Sequence, residues 1–231
     1  MTGIYITRKK CWAKSRKLLI EALGEYYNKE TPSIILNFGN DYNSSIVDNC
    51  SKILNNRIRH IKDKVDMNHL LDFHGIPHPK TYYYPFDGIP KTNEDCVLKG
   101  RFSERARDIT FTTFDKVVIY RPNTYIQDYI PFDREYRACV DWKRVIGIRE
   151  KMGDYKIRNS ATCEYATRHI PALEILAKYV AEKFDVDFCG IDIGECIKRH
   201  HSSYYVIELN SAPTIGPAWA RKLKNDLVSL L

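Results

Sequence analysis

No apolar run in this 231-residue sequence approaches the roughly 18–20 residues that a membrane-crossing helix needs, so no spanning segment is expected. Nor do the cysteines fall into pairs. Cys11, Cys50, Cys96, Cys139, Cys163, Cys189 and Cys196 form no CxxC and leave an odd total, which argues against a disulfide framework or a zinc site. Free thiols in a reducing compartment, the cytoplasm, are predicted instead. The N-terminal MTGIYITRKKCW places its basic residues after its apolar ones, the reverse of a secretory signal. Glycine is sparse at 11 residues and forms no GxGxxG loop, so no dinucleotide site of that kind is implied. Helix-turn-helix, zinc-finger and RNP patterns are missing, as are internal repeats and low-complexity tracts. The formal net charge of +7 therefore fits pockets for polyanions, with nucleic acid as the minor reading.

What is present is a core-forming sequence, 44% hydrophobic and 28% charged, long enough for one globular unit or two small lobes. Residues 3–7 read as a strand, 14–28 as an amphipathic helix (Leu18, Leu19, Ala22, Leu23, Tyr26), and 33–39 as a continuous apolar strand ended by Gly39. Asp63 is a natural N-cap for a helix that Gly75 and Pro77 close. The period then changes to two: KTYYYPF, DCVLKGRF, ARDITF, KVVIY and TYIQDYI are short β-rich runs between turn residues. EYRACVDW and RVIGIREK predict a hairpin around 141–143. Residues 171–184 predict a helix with Pro171 in its first turn, and the last residues a helix burying Trp219, Leu223, Leu227 and Leu230. The fold class is α+β, mostly antiparallel after residue 80.

The chemistry concentrates in two strands, around Gly190-Ile191-Asp192-Ile193-Gly194 and Val206-Ile207-Glu208-Leu209-Asn210. Alternate strand residues share a face, so Glu208 and Asn210 point the same way. A turn centred near His200 sets Asp192 opposite Glu208, bringing two carboxylates and an amide together. Like charges across a strand pair are destabilising unless offset. A divalent cation with all-oxygen ligation, Mg²⁺ or Mn²⁺, would offset them; the alternative is two solvated carboxylates on an open sheet face.

Glu208-Leu209-Asn210-Ser211-Ala212-Pro213-Thr214-Ile215-Gly216 resembles the E-x-N-x-x-P-G metal loop that closes ATP-grasp enzymes. The likeness is greater to the RimK-type carboxylate–amine ligases than to the D-alanine–D-alanine ligases. Further motifs follow in the family's order over residues 63–216. Asp63-Lys64 and Gly75-Ile76-Pro77-His78-Pro79-Lys80-Thr81 resemble the entry to the nucleotide domain, and Val97-Leu98-Lys99-Gly100 resembles a phosphate-binding strand. The resemblance implies an ATP-grasp fold in which two α/β lobes grip ATP, preceded by a short α/β N-terminal lobe at 1–62. The ATP-grasp domain would span 63–231, its lid lobe at about 80–126 and its metal-binding lobe at about 131–231.

By the same resemblance, Lys64 and Lys99 would contact ATP phosphates, and Gln127-Asp128-Tyr129-Ile130 would hold adenine through the Asp128 carbonyl and the Ile130 N–H. Glu135 would take the ribose hydroxyls. Arg149, Arg158 and Asn159 would face the γ-phosphate and acyl phosphate, and Asp192, Glu208 and Asn210 would ligate Mg²⁺ or Mn²⁺. Taken singly, Lys64, Lys99, Arg149 and Arg158 are equally readable as surface residues of little energetic weight, and Glu135 and Arg137 as a cross-strand ion pair. One departure stands out. Where the family carries a glycine-rich loop, this chain has Arg101, Arg105 and Arg107, suited to clamp phosphate as a charged lid. The implied activity is ATP-dependent joining of a carboxylate, such as an amino acid or peptide, to an amine acceptor through an acyl phosphate. The short N-terminal lobe leaves room for an acceptor surface shared across a homo-oligomer. A kinase on the same scaffold and a non-catalytic nucleotide- or nucleic-acid-binding module are the competing functions.

Overall fold

A computed structural model of the chain describes residues 3–7, 13–38, 50, 52–55, 59–83, 88–102, 109–117, 123–142, 144–152, 164–198, 201–211, 213 and 215–231. The first strands, β1 (Ile4–Ile6), β2 (Ile34–Leu36) and β3 (Lys52–Leu54), form a parallel sheet in the order β1-β2-β3. Helix α1 (Ala13–Leu23) crosses between β1 and β2. It stops short of the expected residue 28 because Gly24 turns left-handed (φ +56°), where glycine pays no steric penalty. β3 was not anticipated: three residues carry too little pattern to read.

Helix α2 (Arg59–Lys62) leads to α3 (Lys64–Phe73), capped as expected by Asp63, whose carboxylate accepts from the Val65 and Asp66 N–H groups. Gly75 (φ +62°) then releases the chain. Strands β4 (Thr81–Tyr82), β5 (Asp95–Gly100), β6 (Ile109–Thr113) and β7 (Thr124–Asp128) build an antiparallel sheet in the order β4-β7-β5-β6. The expected strand at KVVIY is corrected in its described part: residues 114–116 make a 3₁₀ turn in which Phe114 is buried, and residues 118–120 lie outside the described residues.

The largest sheet comprises β8 (Arg134–Asp141), β9 (Arg144–Met152), β10 (Glu164–Arg168), β11 (Phe188–Lys198) and β12 (His201–Asn210), ordered β10-β9-β8-β11-β12 and antiparallel throughout. Helix α4 (Pro171–Phe184) packs with α3 on one face of it. There Tyr136, Ala138, Val140, Ile148, Ile191, Ile193, Val206 and Leu209 meet Met67, Leu71, Leu173, Ala177, Val180 and Phe184. Each large side chain removed from water contributes about 1.5–3 kcal/mol, and this cluster fixes which face of the sheet stays polar.

Helix α5 (Pro217–Val228) returns the chain to the parallel sheet. Its Leu223 and Leu227 are buried with Ile4, Leu19, Ile34 and Phe188, while Trp219 and Leu230 are half-buried at the margin. Asn55, in a left-handed conformation (φ +55°) and fully buried, fastens this sheet to the large one: its side chain accepts from the Asp187 and Phe188 N–H groups and donates to the Phe188 carbonyl. No described helix is long and apolar enough to cross a membrane.

Candidate nucleotide and metal site

Because alternate residues share a face, the apolar packing of Tyr136, Ala138 and Val140 turns Glu135, Arg137 and Cys139 to the other side. The register carries this across four strands. Arg149 pairs with Arg137, Arg137 with Asp192, and Asp192 with Glu208, giving one row of two cations and two carboxylates across β9, β8, β11 and β12. The neighbouring row is Gly147, Cys139, Gly190 and Asn210. A side chain at Gly190 would come within 2.8 Å of Pro213, so glycine there lets the segment after β12 lie across the sheet.

The expected opposition of Asp192 and Glu208 is present, helped by a β-bulge. Lys198 pairs with His201; carried straight, that register would put Ile207 opposite Asp192. The irregularity between Asp192 and Ile193 adds one residue to β12 and brings Glu208 there instead, with Asn210 beside it. The Asn210 amide nitrogen lies 3.0 Å from a Glu208 oxygen and 3.5 Å from an Asp192 oxygen, so the three groups converge.

Side chains already offset the repulsion. Arg137 grips Asp192 through two bonds of 2.6 Å, and the Lys151 ammonium donates to Asp192 Oδ2 at 2.9 Å. All three residues are buried. Burial works against the Asp192 charge, but Arg137 and Lys151 prevail and hold its carboxyl well below the ordinary range. Asp192 in turn keeps Lys151 protonated against the desolvation it suffers. Glu208 likewise stays below its ordinary value: burial opposes the charge, and Lys64 above all restores it. Lys64, the first residue of α3 and 8% exposed, reaches over the sheet to within 3.4 Å of Glu208 and donates to the Leu209 carbonyl at 3.0 Å.

Lys99 faces the same cleft from β5 in the four-stranded sheet. Burial, aided by Lys64, lowers its ammonium to about 8 against the pull of Glu208 and Glu135. It donates to Gln127 Oε1 at 2.5 Å, and Gln127 is itself buried and tied to Pro79 and Thr81. Asp128 ends β7, and Tyr129 and Ile130 begin the link to β8, where the chain passes between the two antiparallel sheets; Tyr129 meets Phe111 edge-on. Glu135 lies 3.5 Å from Lys151.

Two of the expected contacts look elsewhere here. The Arg101 guanidinium holds Asp63 in a fork at 2.6–2.9 Å, adding a cation to the carboxylate that caps α3. Arg149 lies over the Trp219 ring at 4.1 Å, a contact that Gly147 makes room for, since a side chain at Gly147 would press on that ring at 3.2 Å. Arg105, Arg107, Arg158 and Asn159 lie outside the described residues.

Lys151 escaped the sequence reading, although strand parity places it on the face of Arg149. Trp219 was read only as a core residue.

The donor set, two carboxylates and an amide without sulfur or imidazole, suits a hard divalent cation once the Asn210 amide, whose nitrogen here donates to both carboxylates, turns its oxygen inward. Among the described residues no three His, Cys, Asp or Glu side chains group to hold a metal, so the amide of Asn210 is needed to complete such a site.

Two antiparallel sheets facing each other across this cleft, with a parallel lobe in front, are the ATP-grasp fold. The chain is similar over 96% of its length to a RimK-domain ATP-grasp protein from Sphaerobacter thermophilus, of which it covers 98%, at TM-score 0.68 and 14% identity. A RiPP-associated ATP-grasp ligase from Chryseobacterium gregarium, solved with ADP and a leader and core peptide, matches 100% of this chain and 98% of its own at TM-score 0.66 and 14% identity. D-alanine–D-alanine ligase from Bacillus anthracis matches 99% of this chain and 96% of its own at TM-score 0.67 and 12% identity. No protein-family model matches the sequence, and no curated protein does.

Proposed function

We propose that this chain is an ATP- and Mg²⁺-dependent carboxylate–amine ligase that activates its carboxylate, an amino acid or peptide, as an acyl phosphate. The observation that carries the reading is the convergence of Asp192, Glu208 and Asn210 on one sheet face beneath Lys64, with Lys99 facing them from the opposite sheet. Structural neighbours with ligase in their names include a RiPP-associated ligase and D-alanine–D-alanine ligase, which supports ligation over a binding-only role.

The roles follow from charge and position. Lys64 and Lys99 neutralise the ATP phosphates, and Gln127, Asp128, Tyr129 and Ile130 hold the adenine base. Glu208, Asn210 and Asp192 would hold Mg²⁺, which would supply neutralisation of charge on the transferring phosphoryl group. The substrate carboxylate attacks the γ-phosphorus, the bond to the β-phosphate oxygen breaks, and ADP leaves; the protein contributes alignment and electrostatics more than covalent chemistry. The amine then attacks the acyl carbon and expels phosphate, Arg149 stabilising the charge that develops. A cleft poor in water protects the acyl phosphate from hydrolysis.

The test is release of ADP and phosphate with Mg²⁺ across a panel of amino acids and peptides, with mass spectrometry of the product and hydroxylamine as a trap. Release that requires both carboxylate and amine, with a hydroxamate formed in the trap, supports the ligase. A stable phosphorylated product without amine points to a kinase. Nucleotide binding without turnover on any substrate leaves a binding module.

A further inference from the structure

The occupancy of the Asp192 carboxylate has a consequence for how metal enters. Its Oδ2 accepts from Arg137 at 2.6 Å and from Lys151 at 2.9 Å, and its Oδ1 from Arg137 at 2.6 Å. Both cations are buried, so neither bond is weakened by solvent as a surface pair would be. Among the described residues five cations (Lys64, Lys99, Arg137, Arg149, Lys151) face three carboxylates (Glu135, Asp192, Glu208) in the cleft, leaving two positive charges in excess. A bare divalent cation would arrive at a site of its own sign and find the oxygen of Asp192 engaged. The polyanionic phosphates of ATP reverse that balance.

The two cations on Asp192 are not equivalent. Arg137 holds both oxygens with a rigid fork, whereas Lys151 is a single ammonium on a flexible stem. Lys151 also has a second acceptor at hand, Glu135 Oε2 at 3.5 Å. We infer that Lys151 is a resident counter-cation that occupies Asp192 Oδ2 until a divalent metal comes with nucleotide, and then yields that oxygen by moving toward Glu135. Lys151 is thus a positioning residue that makes metal binding conditional on nucleotide. The inference rests on the proposed nucleotide–metal site.

The experiment is a Mn²⁺ titration of the full chain followed by electron paramagnetic resonance, with and without the ATP analogue AMPPNP, on the wild type, Lys151→Met and Lys151→Arg. In the wild type, Mn²⁺ binds weakly alone and tightly with AMPPNP. In Lys151→Met, Mn²⁺ alone binds at least about tenfold more tightly than in the wild type, because a buried like charge has been removed; Lys151→Arg keeps the wild-type weakness. Equal affinity of wild type and Lys151→Met for Mn²⁺ alone, with normal binding in the presence of AMPPNP, overturns the inference and spares the metal site. Absence of Mn²⁺ binding in the wild type even with AMPPNP overturns both. If Lys151→Met does not fold, Lys151→Gln carries the same comparison.

Discussion

Two aspartates are buried in the five-stranded sheet, and they are held in opposite states. Asp192 on β11 is 3% exposed and surrounded by Arg137 and Lys151; Asp141 at the end of β8 is fully buried against Asp226 of α5. Burial disfavours both charges. At Asp192 two cations outweigh it, and the carboxylate stays ionised. At Asp141 burial prevails, and the Asp226 carboxyl adds to it, so the acid is pushed up to about 8 and stays protonated at neutral pH. Depth therefore does not set the charge; the partners do. The cation-lined end of the sheet is the one proposed to meet phosphate and metal, whereas at the hairpin end two carboxyls lie close together between a strand and a helix.

The same substitution at the two positions should have unlike consequences. Asp192→Asn leaves Arg137 and Lys151 buried without their counter-charge and should destabilise the fold by about 3 kcal/mol in denaturant unfolding at pH 7. Asp141→Asn, replacing an acid that must take up a proton to fold at pH 7, should cost nothing and instead raise stability. Equal losses at the two sites would break the comparison. Next in size, Lys64→Ala should lower ATP turnover about a hundredfold, as expected for loss of one preorganised charge facing the phosphates, read from steady-state kinetics.

The pH dependences should have opposite signs as well. The folded state binds the Asp141 proton more tightly than the unfolded chain, whose carboxyl titrates near 3.8. Its stabilising contribution is complete below that value and is lost as pH rises toward about 8. Asp192, depressed in the fold, contributes fully above the same ordinary value and loses its contribution as pH falls. Melting temperatures of the wild type from pH 4 to 9 should therefore include a decline toward alkaline pH that Asp141→Asn removes. With Lys99 lowered to about 8, affinity for ATP should fall as pH rises past that value, and Lys99→Arg should flatten the profile in a nucleotide titration. The smallest effect is expected at Trp219. Trp219→Leu removes the ring beneath Arg149, worth about 1 kcal/mol, and should raise the KM for ATP about fivefold with little change in melting temperature.

Much of this was legible in the sequence where a local rule has one physical outcome. Asp63 caps its helix because a short carboxylate reaches the first free N–H groups, and Gly75 closes it by turning left-handed. The facing of Asp192 and Glu208 could be read from the spacing of two strands, although a bulge at Ile207, invisible in the sequence, is what realises it. Lys151 could have been found by carrying alternation two residues past Arg149. The stacking of Arg149 on Trp219 joins residues 70 apart in sequence and depends on how α5 docks, and no local pattern encodes that. Arg101 was read by its phosphate-binding chemistry alone, whereas the cap carboxylate of Asp63 competes for the same fork.

Calorimetric titration of AMPPNP with Mg²⁺ into the wild type and Glu208→Gln addresses the central claim most directly, since Glu208 is the less deeply buried of the two carboxylates. One nucleotide per chain in the wild type, with a loss of at least about tenfold in affinity when the Glu208 charge is removed, is the expected result. Equal binding by the two proteins would contradict the assignment of this sheet face as the site of metal and triphosphate.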